Sequence, residues 1–133
     1  MTRPILVIDD EPDMCWVMQQ ILLCEGHQSD AVTTAQDALA RVGQRAYWCA
    51  LVDLKLPDMD GRELVRQLRA VCPALPCVLV TGYLYTDDEA VQADLSAGVI
   101  VGFIAKPFTI EQIRGVLATI PTLGVDQSSA ASG

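Results

Sequence analysis

The chain has 133 residues, a formal net charge of −8, about half hydrophobic residues, five cysteines and one histidine. This length predicts one domain with its own core. The acidic balance argues against a nucleic-acid surface, which needs basic patches, and no apolar run reaches the roughly 18 to 20 residues of a membrane span. The odd number of cysteines, without a CxxC pair, predicts reduced thiols rather than disulfides or a zinc site. The acidic N-terminus lacks a secretory signal, which predicts a cytoplasmic protein.

The first half of the chain alternates between short apolar runs and helical periods. Residues 5–8 form the first apolar run, and a helical stripe follows it, carried by Met14, Val17, Met18, Ile21 and Leu22. Gly26 is a stop signal for this helix. Residues 28–33 predict a weak, polar strand, which suits the edge of a sheet. A second helix begins after Thr34, a predicted N-cap, and closes near Gly43.

The second half continues this alternation. Residues 49–52, 77–80 and 99–104 are nearly all apolar, which predicts strands buried on both faces. Between them we predict one helix that ends at Pro73 and a weaker one around residues 87–97. A last helix opens on a capping-box pair, Thr109 and Gln112. Five strand–helix units predict a doubly wound α/β fold, with a five-stranded parallel sheet and helices on both faces.

The predicted strands lead into side chains that can do chemistry. Asp9 and Asp10 follow the first strand, Asp53 the third and Thr81 the fourth, and the fifth runs into Lys106. Sheets of this kind bind ligands at the carboxyl ends of their strands. A single aspartate at a strand end is more often a solvated cap, but three carboxylates at one edge would take up protons or bind a cation. Hard oxygen ligands suit Mg²⁺.

Four motifs resemble the signature set of response-regulator receiver domains: VIDDE at 7–11, DLKLPDMDG at 53–61, TG at 81–82 and KPF at 106–108. The resemblance covers residues 4 to about 120 and implies a flavodoxin-like fold with strand order 2-1-3-4-5. It implies that Asp53 is phosphorylated by a sensor histidine kinase or a histidine phosphotransfer protein. It also implies an Mg²⁺ site, in which Mn²⁺ can substitute, formed by Asp9, Asp10, Asp53 and the backbone carbonyl of Lys55.

The same resemblance implies further roles around the phosphoryl group. Thr81, Gly82 and Lys106 would bind it, and Asp9 would act mainly through a metal-bound water. Thr81 and Phe103 would form the switch, and Lys55 and Tyr83 would tune hydrolysis. A cis Lys106–Pro107 bond is also implied.

The output surface is expected on the fourth helix, the fifth strand and the fifth helix, with contributions from Val99, Ile100 and Val101. A homodimer formed on phosphorylation is one form that output could take, and the downstream partner is not specified by the sequence. Trp16 lies off the apolar stripe of the first helix, so we expect it to be partly exposed.

The sequence also predicts a domain boundary near residue 121. The receiver domain is expected over residues 1–121, and residues 122–133 as a flexible tail or the start of a linker. Such a domain catalyses only its own phosphotransfer and slow autodephosphorylation.

A metal-dependent phosphohydrolase would carry a second aspartate two residues after the nucleophile, where this chain has Lys55. A degenerate receiver that acts as a docking module would lack an acidic or acceptor residue, and all of them are present here.

Overall fold

Strands and helices alternate along the chain, five of each in the residues that the structure describes. The structure is a computed structural model that describes residues 3–82 and 89–120. The strands are β1 (Ile5–Ile8), β2 (Ser29–Val32), β3 (Cys49–Asp53), β4 (Cys77–Gly82) and β5 (Gly102–Lys106). The helices are α1 (Pro12–Cys24), α2 (Ala35–Gln44), α3 (Gly61–Val71), α4 (Glu89–Ser96) and α5 (Ile110–Ala118). The tail expected at residues 122–133 lies outside the described residues.

The sheet has the strand order β2-β1-β3-β4-β5, and all of its neighbouring strands are parallel. The predicted flavodoxin-like arrangement is therefore confirmed. Helices α1 and α5 cover one face of the sheet, and α2, α3 and α4 cover the other. Every residue of β1 and β3 is buried, as expected for central strands between two helical layers. The polar strand β2 lies at the edge, as its composition predicts.

The fifth strand begins later than the sequence predicts. The apolar run at 99–104 predicts a strand there, but β5 spans Gly102–Lys106. The chain first closes the end of α4, where the carbonyl of Asp94 accepts hydrogen bonds from the amides of Val99 (2.9 Å) and Ile100 (3.3 Å). These two amides are therefore used by the helix end, and the sheet ladder can start only after them.

This shift also changes the expected output surface. Ile100 is buried in the core, so its predicted contribution to that surface is wrong. Val99 is half-buried and packs against the same core, while Val101 is 38% exposed. Of the three residues, Val101 is the one that remains available to a partner.

The buried side of α1 also differs from the predicted stripe. Val17 belongs to that stripe but is 39% exposed, whereas Cys15, Met18 and Leu22 are buried. Because apolar residues occur on nearly every side of this helix, their periodicity does not define which side packs. Trp16 is 62% exposed, as its position predicts.

Local signals set the remaining helix ends. The hydroxyl of Thr34 accepts a hydrogen bond from the amide of Asp37 at the start of α2. Thr109 and Gln112 form the predicted capping box of α5. Gly26 follows α1 with a φ of 87°, a conformation that glycine adopts readily. The Lys106–Pro107 bond is cis. Within the described ranges, no helix has the length and apolar character needed to cross a membrane.

Candidate functional site

The carboxyl ends of four strands bring polar side chains to one edge of the sheet. β1 leads into Asp9 and Asp10, β3 ends at Asp53, β4 contains Thr81 near its end, and β5 ends at Lys106. The parallel register places these strand ends side by side. The grouping that the sequence predicts at this edge is present in the structure.

Asp9, Asp10 and Asp53 form an acidic cluster. Each offers a carboxylate oxygen, and the three oxygens lie within 4.8 Å of one another. Asp9 and Asp53 are buried, whereas Asp10 is exposed. The carboxylate of Asp9 accepts the amide of Glu11 at 3.0 Å, so the turn into α1 orients it. Carboxylates this close repel one another when ionised, and a bound cation removes that repulsion.

The ammonium group of Lys106 lies between the two buried carboxylates. Its Nζ is 3.1 Å from Oδ2 of Asp9 and 3.5 Å from Oδ2 of Asp53. Burial disfavours the charged amine, but the hydrogen bond to Asp9 and the charge of Asp53 outweigh burial and raise the pKa of Lys106. The group therefore stays positive at neutral pH and is held next to Asp53.

The carboxyl group of Asp53 titrates well above its usual range. Burial raises the pKa of Asp53 to about 6, and the charges of Asp9 and Asp10 act in the same direction. The charge of Lys106 and a hydrogen bond from the amide of Lys55, 3.2 Å from Oδ1, lower the pKa but do not cancel the effect of burial. At pH 7 the group is mostly ionised, so a nucleophilic oxygen is available.

The donor set fits a hard divalent cation such as Mg²⁺. It consists of carboxylate oxygens, and the exposure of Asp10 leaves room for water ligands. The nearby thiol of Cys15 donates a hydrogen bond to the carbonyl of Asp9 at 3.3 Å. Burial, together with the charge of Asp9, raises the pKa of Cys15, so this thiol stays protonated and does not compete as a soft ligand. The ligand role of the Lys55 carbonyl stays a prediction.

Two of the residues expected around a phosphoryl group, Thr81 and Phe103, lie in β4 and β5. Thr81 is buried, and its hydroxyl donates to the carbonyl of Gly82 at 3.2 Å. Phe103 is half-buried, packs against the core under α2, α3 and α4, and lines an open groove of about 450 Å³ beside β5. Tyr83, the predicted hydrolysis-tuning residue, lies outside the described residues.

The loop after β3 closes tightly on itself. The amide of Gly61 donates to the carbonyl of Leu54 at 2.8 Å, and Lys55 pairs with Asp60 across the loop in an antiparallel bridge. A Cβ atom on Gly61 would lie 2.3 Å from the carbonyl oxygen of Asp53. Glycine is therefore required where α3 starts beside the acidic cluster.

Sequence reasoning missed the contacts of several charged residues, among them Asp58 and Asp94. Asp58, in the DLKLPDMDG motif, accepts hydrogen bonds from two amides at the start of α2. Asp94, in the weakly predicted fourth helix, is buried and forms a bidentate ion pair with Arg62 of α3. Asp58 belongs to a recognisable motif, but the sequence does not indicate that it contacts α2. No sequence signal links Asp94 to Arg62.

Comparison with known proteins establishes the family. The family profile described as response regulator receiver domain matches residues 5–118. The chain belongs to this receiver-domain family. A solved CheY-like receiver domain protein from Methanospirillum hungatei is 30% identical, with a TM-score of 0.79, over 89% of this chain and 92% of that one.

Curated relatives of this receiver domain are longer response regulators. The transcriptional regulatory protein ZraR of Salmonella typhimurium is 29% identical over 85% of this chain but only 25% of its own length. The two-component response regulator PhoP of Pseudomonas aeruginosa is 33% identical over 85% of this chain and 49% of its own length. The chain thus spans between a quarter and a half of these relatives. Receiver domains of this family bind Mg²⁺ at an acidic aspartate cluster and work with histidine kinases and output domains.

Proposed function

We propose that this receiver domain accepts a phosphoryl group on Asp53 from the phosphohistidine of a sensor histidine kinase or histidine phosphotransfer protein. The observation that carries the proposal is the position of Asp53, held at the end of a buried strand between two other aspartates and an ammonium group. In the transfer, a carboxylate oxygen of Asp53 forms a bond to phosphorus. The bond from phosphorus to the imidazole nitrogen breaks, and the imidazole keeps the electron pair.

The surrounding residues hold the reacting groups and balance their charge. Asp9, Asp10, Asp53 and the carbonyl of Lys55 would hold Mg²⁺ or Mn²⁺, with Asp9 acting mainly through water. When bound, the metal supplies positive charge to the phosphoryl oxygens. The ammonium of Lys106 lies close enough to Asp53 to pair with a phosphoryl group on that residue. Thr81 and Gly82, at the end of β4, would bind a further phosphoryl oxygen.

The modification is transient and acts as a signal. An acyl phosphate on Asp53 is open to attack by water, and the exposed residue Lys55 together with Tyr83 would set the rate of that hydrolysis. Thr81 and Phe103 would convert the phosphorylated state into a change at the groove beside β5. A cytoplasmic location belongs to the same proposal and is supported by five cysteines that form no disulfide.

Intact-protein mass spectrometry tests the acceptor directly. The wild-type chain is incubated with acetyl phosphate, with Mg²⁺ or with EDTA, beside Asp53→Asn and the control Asp13→Asn, which changes an exposed carboxylate on α1. We expect a gain of about 80 Da, one phosphoryl group, in the wild type and in Asp13→Asn when Mg²⁺ is present. An equal gain in Asp53→Asn would disprove the acceptor. No gain in any sample would leave two possibilities, a receiver that selects its phosphoryl donor or a docking module.

A further inference from the structure

The start of α2 is capped by a residue from the loop that follows Asp53. The first amides of a helix have no partner within it. Thr34 accepts the amide of Asp37 at 3.1 Å. The two amides that precede Asp37 donate hydrogen bonds to Asp58: Ala35 to Oδ1 at 2.9 Å and Gln36 to Oδ2 at 3.1 Å. One helix start is therefore capped jointly by its own N-cap residue and by a side chain 23 residues further along the chain.

The contact favours the ionised form of Asp58. The hydrogen bond from the amide of Ala35, with a second one from Gln36, holds the pKa of Asp58 below its usual range. The positive end of the α2 dipole acts in the same direction. At neutral pH the contact consists of two charge-assisted hydrogen bonds with fixed directions, which position the groups they join better than a single neutral bond does.

Asp58 lies at the tip of a loop whose base is already closed. Leu54 bonds to Gly61 and Lys55 pairs with Asp60 at the base. Leu56 and Met59 pack against the core, but apolar contacts have little directional preference. The two hydrogen bonds of Asp58 therefore fix the orientation of the tip relative to α2.

We propose that Asp58 is a positioning residue for the metal site. By binding the start of α2 it fixes the loop, and through the loop it fixes the main chain of Lys55. The amide of Lys55 bonds to Asp53, and its carbonyl is the proposed metal ligand. The inference rests on the proposed function, because it concerns the same metal site.

The expected effect on metal affinity is moderate. Metal–ligand distances tolerate errors of only about 0.2 Å, and loss of a residue that orients a ligand directly lowers affinity by about 10- to 100-fold. Asp58 acts through the backbone, three residues from Lys55. We therefore expect Asp58→Ala to weaken Mn²⁺ binding by about 3- to 10-fold.

Thr34→Ala is the matched control. It removes the other half of the same cap, and the side-chain hydrogen bond that it deletes is made to Asp37 of α2 rather than to the loop. If Asp58 merely stabilised α2, Asp58→Ala and Thr34→Ala with similar free energies of unfolding would lower metal affinity equally. Asp58→Asn keeps the side-chain shape and one acceptor oxygen, so it should restore part of the affinity lost in Asp58→Ala.

The experiment titrates the wild type and the three variants, each over residues 1–133, with Mn²⁺ and measures free Mn²⁺ by electron paramagnetic resonance. The unfolding of the same proteins in urea is measured without metal. We expect Mn²⁺ affinity to fall in the order wild type and Thr34→Ala, then Asp58→Asn, then Asp58→Ala. Amide hydrogen exchange adds a second readout. Mg²⁺ should slow exchange at Ala35 and Gln36 in the wild type but not in Asp58→Ala.

Three outcomes would overturn the proposal in distinguishable ways. Equal Mn²⁺ affinity in wild type, Asp58→Ala and Asp58→Asn would remove the positioning role and leave the proposed function intact. Equal losses in Asp58→Ala and Thr34→Ala would reduce Asp58 to a helix cap. Failure of the wild type to bind Mn²⁺ would refute the metal-dependent function and this inference together. If Asp58→Ala does not fold, Asp58→Asn against Thr34→Ala decides the question.

Discussion

Asp53, the proposed phosphoacceptor, destabilises the metal-free fold at neutral pH because its carboxylate is buried. Its pKa of about 6 lies above the ordinary value of 3.8, so the folded state binds the proton more tightly than the unfolded state. The resulting stabilisation is fully present below about pH 4 and is lost as the pH rises through about 6. At pH 7 the ionised carboxylate lowers the free energy of unfolding by at most about 3 kcal/mol.

Asp53→Asn should therefore stabilise the metal-free protein. We expect its free energy of unfolding at pH 7 to rise by about 1 to 3 kcal/mol, because the neutral amide has no charge to desolvate and Lys106 keeps its contact with Asp9. At pH 3.5 the difference from wild type should nearly vanish. Urea denaturation in EDTA at both pH values measures it, with Asp13→Asn as the exposed control. A loss of stability at pH 7 would mean that the Lys106 contact outweighs burial.

Gly61 sets a steric limit next to the acidic cluster. A Cβ there would lie 2.3 Å from the Asp53 carbonyl oxygen and 2.8 Å from the Cα of Leu54, both backbone atoms that cannot move aside independently. We expect Gly61→Ala to lower the free energy of unfolding by about 1 to 3 kcal/mol or more and to slow phosphorylation by acetyl phosphate.

Gly43→Ala provides the contrast for Gly61, since nothing lies within 4 Å of its added Cβ in α2. Because glycine loses more conformational entropy on folding than alanine does, that variant should be neutral or more stable by up to about 1 kcal/mol. Thermal and urea unfolding of both variants would measure the difference. Equal stability of the two would show that the loop can open at no cost.

At the scale of elements, α4 is held by polar contacts with α3 as well as by its own small apolar surface. It is eight residues long, with Val91 and Asp94 as its buried residues. Isolated helices of this length are unstable in water. Arg62 binds Asp94 through two hydrogen bonds, and Arg69 donates to the carbonyls that follow α4. Arginines of α3 thus supply the charge partner of Asp94 and bind the turn that follows α4.

Arg62→Met should loosen α4, because it leaves the buried carboxylate of Asp94 without its bidentate partner. We expect a loss of about 2 kcal/mol, below the 3 to 5 of a fully buried pair because Arg62 is partly exposed. Arg66→Met is the control: its guanidinium is 47% exposed and 3.6 Å from Asp94, so a loss under about 1 kcal/mol is expected. Urea unfolding and hydrogen exchange in α4 report both, and equal effects would contradict the ranking.

Features that depend on residues close together in the sequence could be predicted, whereas features that depend on contacts between distant segments could not. Buried strands and helix N-caps depend on neighbouring residues, so β1, β3 and the starts of α2 and α5 could be predicted. The start of β5 depends on how α4 ends, and the packed side of α1 depends on the sheet. The grouping of the candidate site residues followed from topology, since parallel strands end at one edge. The contacts of Asp58 and Asp94 join segments that are far apart in the sequence, so only the folded structure reveals them.

At the scale of the whole molecule, the acidic edge and the groove beside β5 are connected through two strands. The register pairs Thr81 of β4 with Ala105 of β5. Since side chains alternate along a strand, Phe103 lies on the same face as Thr81, and both lie on the side covered by α4. Phe103, Val101 and Val116 line the open groove between α4 and α5. A shift of Thr81 toward a phosphoryl group would therefore change the space available to Phe103.

The chain has two phenylalanines, Phe103 and Phe108, so fluorophenylalanine labelling gives two ¹⁹F signals that report on opposite faces of the sheet. Beryllofluoride with Mg²⁺ mimics the phosphorylated state, and we expect it to move the Phe103 signal more than that of Phe108, which packs on the α1 and α5 side. Phe103→Leu assigns the signals, and Asp53→Asn should abolish the shift. A response confined to Phe108 would contradict the path from Thr81 to the groove, since local binding beside Lys106 would then explain it. An increase in mass by light scattering under the same conditions would show that the activated chain associates with a second copy.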